Sequence, residues 1–137
     1  LDVQVVVRDT GLSELGLSLL HEPSRQGFHP LHGLHAALQS LEPDQYALIA
    51  PCDMPWLHPD GIRALLSTGA PSVASDGQRI QPLLCLVPAT WTERVEETLL
   101  RGGAASELFS GVQQVVMDPA QLTNINCLED LSASTLM

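Results

Sequence analysis

Apolar and polar positions along this chain fall into blocks whose period changes. Val3-Gln4-Val5-Val6-Val7 is a β-branched run of the kind that fills a buried parallel strand, and Asp9-Thr10-Gly11 breaks it. Leu17 to Leu20 predicts a second short strand, and Glu22 to Pro30, with Gly27 and two prolines, predicts a loop. Leu31, Leu34, Ala37, Leu38 and Leu41 then recur at helical spacing. Tyr46 to Ala50 is the next strand, closed by Ala50-Pro51-Cys52-Asp53-Met54-Pro55. His58-Pro59-Asp60 opens a helix carrying Ile62, Leu65 and Leu66, with Gly69 as its stop.

The same alternation continues. Ser72 to Ser75 reads as a short strand, Asp76-Gly77 as a turn, and Pro82 to Val87 as another strand. Trp91 to Leu100 predicts a helix ending at Gly102-Gly103, and Gln113 to Met117 a strand. Leu128 to Leu136 predicts a last helix with Glu129 and Asp130 in its first turn. Strands alternating with helices imply an α/β fold, a mostly parallel sheet in a three-layer α/β/α arrangement. With 137 residues and no internal repeat, 1–137 is expected to be a single domain.

Composition narrows the function classes. The net charge is −10, from 16 acidic and 6 basic residues, and all six basic residues are arginines. Such a surface repels polyphosphate backbones, which argues against nucleic acid but leaves room for a small phosphorylated ligand held through a divalent cation. No apolar run reaches the roughly 20 residues of a membrane span, and no signal-peptide pattern stands at the N-terminus. A cytoplasmic protein is expected, with no membrane partner. Cys52, Cys85 and Cys127 are far apart and form no C-x-x-C pair, so neither a disulfide framework nor a cysteine zinc site is expected. Cys85 lies in an apolar run and reads as core.

Asp53 is the candidate for chemistry. In open parallel sheets ligands sit beyond the carboxyl ends of the strands, and Asp53 follows such a strand directly. A carboxylate there can hold Mg²⁺ together with substrate phosphates, and the flanking Pro51 and Pro55 limit where it points. The plainer alternative is a turn residue or a cap for the next helix. His29, His32 and His35 offer at most two ligands from one helical face, with no third evident, so they read as a polar helix start rather than a zinc site. Trp56 and Trp91 read as packing residues.

Four segments, in order, carry a resemblance. "ALIAPCDMPWLHPDGIRALL" resembles the metal-binding segment of the MobA-like nucleotidyltransferases, in particular the molybdenum cofactor guanylyltransferases. "HPLHGLHAAL" resembles that family's Gly-Pro-Leu-Ala-Gly segment, "SDGQRIQPLLCLVP" its Asp-Gly-x-x-x-x-Pro-Leu segment, and "LTNINCLEDL" its Asn-(Ile/Val)-Asn-Thr-Pro-Glu-Asp-Leu ending. The resemblance implies a Rossmann-like nucleotidyltransferase fold and transfer of GMP from GTP to molybdopterin, with pyrophosphate released. It implies a catalytic role for Asp53 as ligand of Mg²⁺, with Mn²⁺ as the alternative ion. Asn124 and Asn126, alternating along an extended stretch, would face the molybdopterin; otherwise they are loop residues capping the last helix. Gly33 would let a ligand approach bare backbone. Glu22 would contact the nucleotide, and Arg79 a phosphate unless it is only part of the Asp76–Gly77 turn.

Several positions depart from the family. Its glycine-rich Leu-Ala-Gly-Gly-x-Ser-x-Arg-Met-Gly loop and following lysine have no counterpart in the 137 residues, so the N-terminal part of the domain is expected to be missing. His29 stands for a glycine, His32 for an alanine, Glu22 for an Asp and Arg8 for an Asn, which leaves the choice between guanine and another base open. Two other readings remain: a non-catalytic molybdopterin-binding module, and a nucleotidyltransferase with another base or acceptor.

Overall fold

Proline and glycine mark where the elements of this chain begin and end. A computed structural model describes residues 5–7, 19–21 and 29–125. Its elements in chain order are β1 (Val5–Val7), β2 (Leu19–His21), α1 (Leu31–Gln39), β3 (Tyr46–Ile49), α2 (Pro59–Ser67), β4 (Ser72–Ser75), β5 (Ile80–Pro88), α3 (Thr92–Arg101) and β6 (Gln113–Val116). Short 3₁₀ turns cover Ala89–Trp91, Ala105–Phe109 and Pro119–Leu122. The helix expected over Leu128–Leu136 lies outside the described residues.

The helix ends follow from local chemistry. α2 starts with Pro59 in its first turn, where a missing N–H costs nothing, and the His58 Nδ1 accepts the Asp60 N–H at 3.1 Å. Asp60 also sets a negative charge at the positive end of the helix. α3 begins one residue later than its sequence pattern predicts, because Trp91 closes the preceding 3₁₀ turn. Its end is Gly102, at φ 67°, with the Gly103 N–H returning to Thr98 O at 2.9 Å. Nothing lies within 4 Å of a Cβ built at Gly102, so Gly102→Ala should act through backbone strain alone. Urea unfolding is expected to show a loss of about 1 kcal/mol, and a smaller one for Gly102→Asn.

The described residues fall into two compact units, the first taking in those up to Ala47 with Val87–Ser110, the second Leu48–Leu86 with those from Gly111 on. In the first, β1 and β2 pair in parallel, Val5 opposite Leu19. α1 packs on α3, and Leu31, Leu34 and Leu38 of the one and Val95 of the other are buried. His35 is 2% exposed and its Nε2 lies 2.9 Å from the Glu96 carboxylate. Trp91 stacks at a tilt on Phe109, centroids 5.8 Å apart, with the Arg94 guanidinium 4.2 Å from its ring centre. Trp91 is thus a packing residue.

A four-stranded sheet runs in the order β3-β5-β4-β6. β4 runs parallel to β6, from Ser72 opposite Gln113 to Ser75 opposite Val116. β5 enters antiparallel to β4, because the Asp76–Gly77 turn folds the chain straight back, so the sheet is mixed. The β4–β5 register shifts between Val73, opposite Cys85, and Ala74, opposite Gln81. Pro82, which has no N–H to give a neighbouring strand, lies in that break. Leu65 of α2, Ala74, Leu84, Met54, Met117 and Leu122 form the buried core, with Leu48, Leu57, Ile62 and Val115 against it.

Cys85 in β5 is fully buried, and burial pushes its thiol up to about 12, whereas Cys52 is exposed. The thiolate is the reactive form. Iodoacetamide at pH 8 should therefore alkylate Cys52 and spare Cys85 until the protein is unfolded, as peptide mapping would show.

Candidate functional site

The loop after β3 crosses from a sheet strand to the first turn of α2. Met54 anchors it in the core, and the Leu57 N–H turns back to Met54 O at 3.3 Å. Asp53 sits just before that anchor, half-buried. Its Oδ1 is buried and has no hydrogen-bond partner among the described residues. The cap of α2 is His58, so the helix-capping role that Asp53 could have filled belongs to another residue.

An unpartnered buried carboxylate oxygen is costly unless something arrives to meet it. A divalent cation is one such group. One carboxylate fits Mg²⁺, which keeps waters and takes substrate phosphate oxygens as its other ligands. It does not fit zinc, which takes three or four side-chain ligands. Among the described residues no group of three or more His, Cys, Asp or Glu is placed to hold a metal.

A second segment reaches this loop from far along the chain. The Ile125 N–H donates to Asp53 O at 2.7 Å, and Gln121 Oε1 accepts the His58 N–H at 3.1 Å. Asn124, exposed, is the residue just before the one that makes this bond. Asn126 and Glu22 lie outside the described residues. Gly33 is half-buried in the first turn of α1, in the first unit. Neither Gln121 nor Ile125 stands out in the sequence, because both act across more than sixty residues and through generic amide chemistry.

Arg79 is exposed at the turn between β4 and β5. Asp76 Oδ1 accepts the N–H groups of Gln78 and Arg79, each at 2.8 Å, and these donors hold its carboxyl below the usual range. Gly77 sits at φ 98°. Asp76 and Gly77 are thus explained by the turn alone.

Two of the three histidines have structural roles. His29 Nδ1 accepts the Leu31 N–H at 3.1 Å, so its Nε2 is the protonated nitrogen and donates to Gly103 O at 2.7 Å. His35 faces Glu96. His29 therefore ties the start of α1 to the residue that closes α3, a structural task.

Comparison with known proteins places this architecture. A protein of Archaeoglobus fulgidus, molybdopterin-guanine dinucleotide biosynthesis protein A, superposes with a TM-score of 0.73 at 19% identity, over 98% of this chain and 79% of its own, so the two share a fold. A molybdenum cofactor guanylyltransferase of Shewanella putrefaciens is 30% identical over 131 residues, covering 88% of this chain and 67% of its own. One of Ectopseudomonas mendocina is 32% identical over 114 residues, covering 78% and 56%. The chain thus spans about half to two thirds of the length of the curated relatives it matches. Residues 2–115 match the MobA-like NTP transferase domain, and the chain belongs to that family.

Proposed function

We propose that this protein is a molybdenum cofactor guanylyltransferase. The observation that carries the reading is Asp53: a carboxylate at the end of a sheet strand, anchored by Met54, with a buried oxygen that no group among the described residues satisfies. Two relatives named for this activity support it. The acceptor phosphate of molybdopterin attacks the α-phosphorus of GTP, forming a new P–O bond while the bond to the β-phosphate oxygen breaks and pyrophosphate leaves. A Mg²⁺ ion held there would supply charge neutralisation for the nucleotide phosphates. Asp53 holds that ion, and Asn124 and Asn126 offer amides to the donor and acceptor edge of the pterin. By the family resemblance alone, Glu22, Gly33 and Arg79 would be the nucleotide contacts. The reaction runs in the cytoplasm, where GTP is made and cysteines such as Cys52 stay reduced.

The deciding assay incubates the full-length protein with molybdopterin, Mg²⁺ and either GTP or CTP, and follows pyrophosphate and the dinucleotide product. Product from GTP, and much less from CTP, is expected. Product from neither, with molybdopterin still bound, would move the protein to a binding role.

A further inference from the structure

We infer that Gln121 and the backbone of Ile125 are positioning residues for the divalent ion. Together they fix the Asp53 loop from outside it. This rests on the reading of Asp53 as the ion's ligand.

The stretch from Asp53 to His58 is tied at both of its ends by one short segment, 121–125. At one end Asp53 O accepts from Ile125 N–H at 2.7 Å, and at the other His58 N–H donates to Gln121 Oε1 at 3.1 Å. Between the ties Met54 and Leu57 enter the same core as Leu122 of that segment. Among the described residues nothing hydrogen-bonds to the carboxylate Oδ1 to aim it. Its direction is therefore set by the backbone that carries it, and that backbone is held by these two bonds. A ligand's supporting partners commonly decide whether it meets its ion in the right place.

The fit around Gln121 is close on one side. A Cβ at Gly61 would stand 3.2 Å from Gln121 Oε1 and 3.0 Å from Met117 Sδ. Gly61 is thus bare where the carboxamide crosses the first turn of α2, so the glycine and Gln121 fit as a pair. Asn124 lies between the two ties, so the same segment that holds the ion's ligand also sets how far Asn124 stands from it.

The test is a Mg²⁺ titration of the ¹⁵N-labelled full protein without nucleotide, reading the amide shifts of Cys52, Asp53 and Met54. Gln121→Met keeps the length and packing of the side chain but removes the acceptor. It is expected to weaken Mg²⁺ binding about tenfold. Ile62→Val, which trims the same core without touching either tie, should lose some thermal stability and keep the wild-type affinity. If Gln121→Met binds Mg²⁺ like the wild type, or if Ile62→Val weakens binding as much, the positioning role is wrong. Should Gln121→Met fail to fold, Gln121→Asn, one methylene too short to reach His58, gives the same reading. Asp53→Ala separates the two layers of argument. Loss of the loop's Mg²⁺ shifts in that variant upholds Asp53 as ligand whatever Gln121 does, and their persistence overturns that assignment.

Discussion

Asp53→Ala is expected to lower guanylyl transfer by about 10²–10³-fold while leaving the ion-free protein at least as resistant to heat as the wild type. The two effects have one cause. In nucleotidyl transfer the protein mostly positions charged groups and neutralises the charge that moves between them, so in the role proposed for Asp53 its removal takes away most of what the site does. The same carboxylate is a burden to the empty fold. Its Oδ1 is buried without a partner among the described residues, an arrangement that ordinarily costs about 1–3 kcal/mol, nearer the lower figure for a residue only half-buried. Alanine removes that oxygen, and with it one negative charge from a chain of net charge −10. A structural Asp53 would behave in the opposite way, with a lowered melting temperature and activity falling only as far as folding does. Full activity in the alanine variant would sink the assignment of Asp53 as the ion's ligand.

Some elements of this fold follow from local signals in the sequence and others from pairing in the sheet. β4 and the existence of α1, α2 and α3 follow from apolar spacing and from Pro59, Gly69 and Gly102, because these signals are local. The antiparallel entry of β5 does not follow, although its cause, the Asp76–Gly77 turn, was visible. A turn tells that the chain reverses, but pairing of the reversed strand with its neighbour is decided in the sheet. β5 is also longer than its apolar run, starting at Ile80, since Gln81 faces a partner strand that the periodicity does not report. Asp53 is legible in the sequence as a candidate because two prolines and a preceding strand frame it. The ties from Gln121 and Ile125 are not, since a backbone N–H carries no side-chain signal and a glutamine in a loop looks like any solvated residue. The histidines show the reverse case. Their spacing hints at a metal, yet His29 spends both nitrogens on backbone groups and His35 faces Glu96.

Leu65→Ala should be the most damaging single change to folding, with an expected loss of about 2–5 kcal/mol in urea unfolding. Leu65 is fully buried on the face of α2 that packs toward β4. Its neighbours come from separate parts of the second unit: Met54 from the Asp53 loop, Ala74 and Leu84 from two strands, Met117 from the end of β6, and Leu122 from the segment that ties the loop. Because these side chains are held by different elements, they cannot all close on the space left by the lost carbons, which places the cost above the bare transfer term. Leu65→Met, which keeps the volume, should cost less than about 1.5 kcal/mol. The cavity would also loosen Met54, the anchor directly after Asp53, so Leu65→Ala should need more Mg²⁺ for half-maximal rate even at temperatures where it is fully folded. An unfolding loss below about 1 kcal/mol would show that α2 does not pack on the sheet in this way. A large loss with an unchanged Mg²⁺ requirement would show instead that the loop keeps its shape through Gln121 and Ile125 alone.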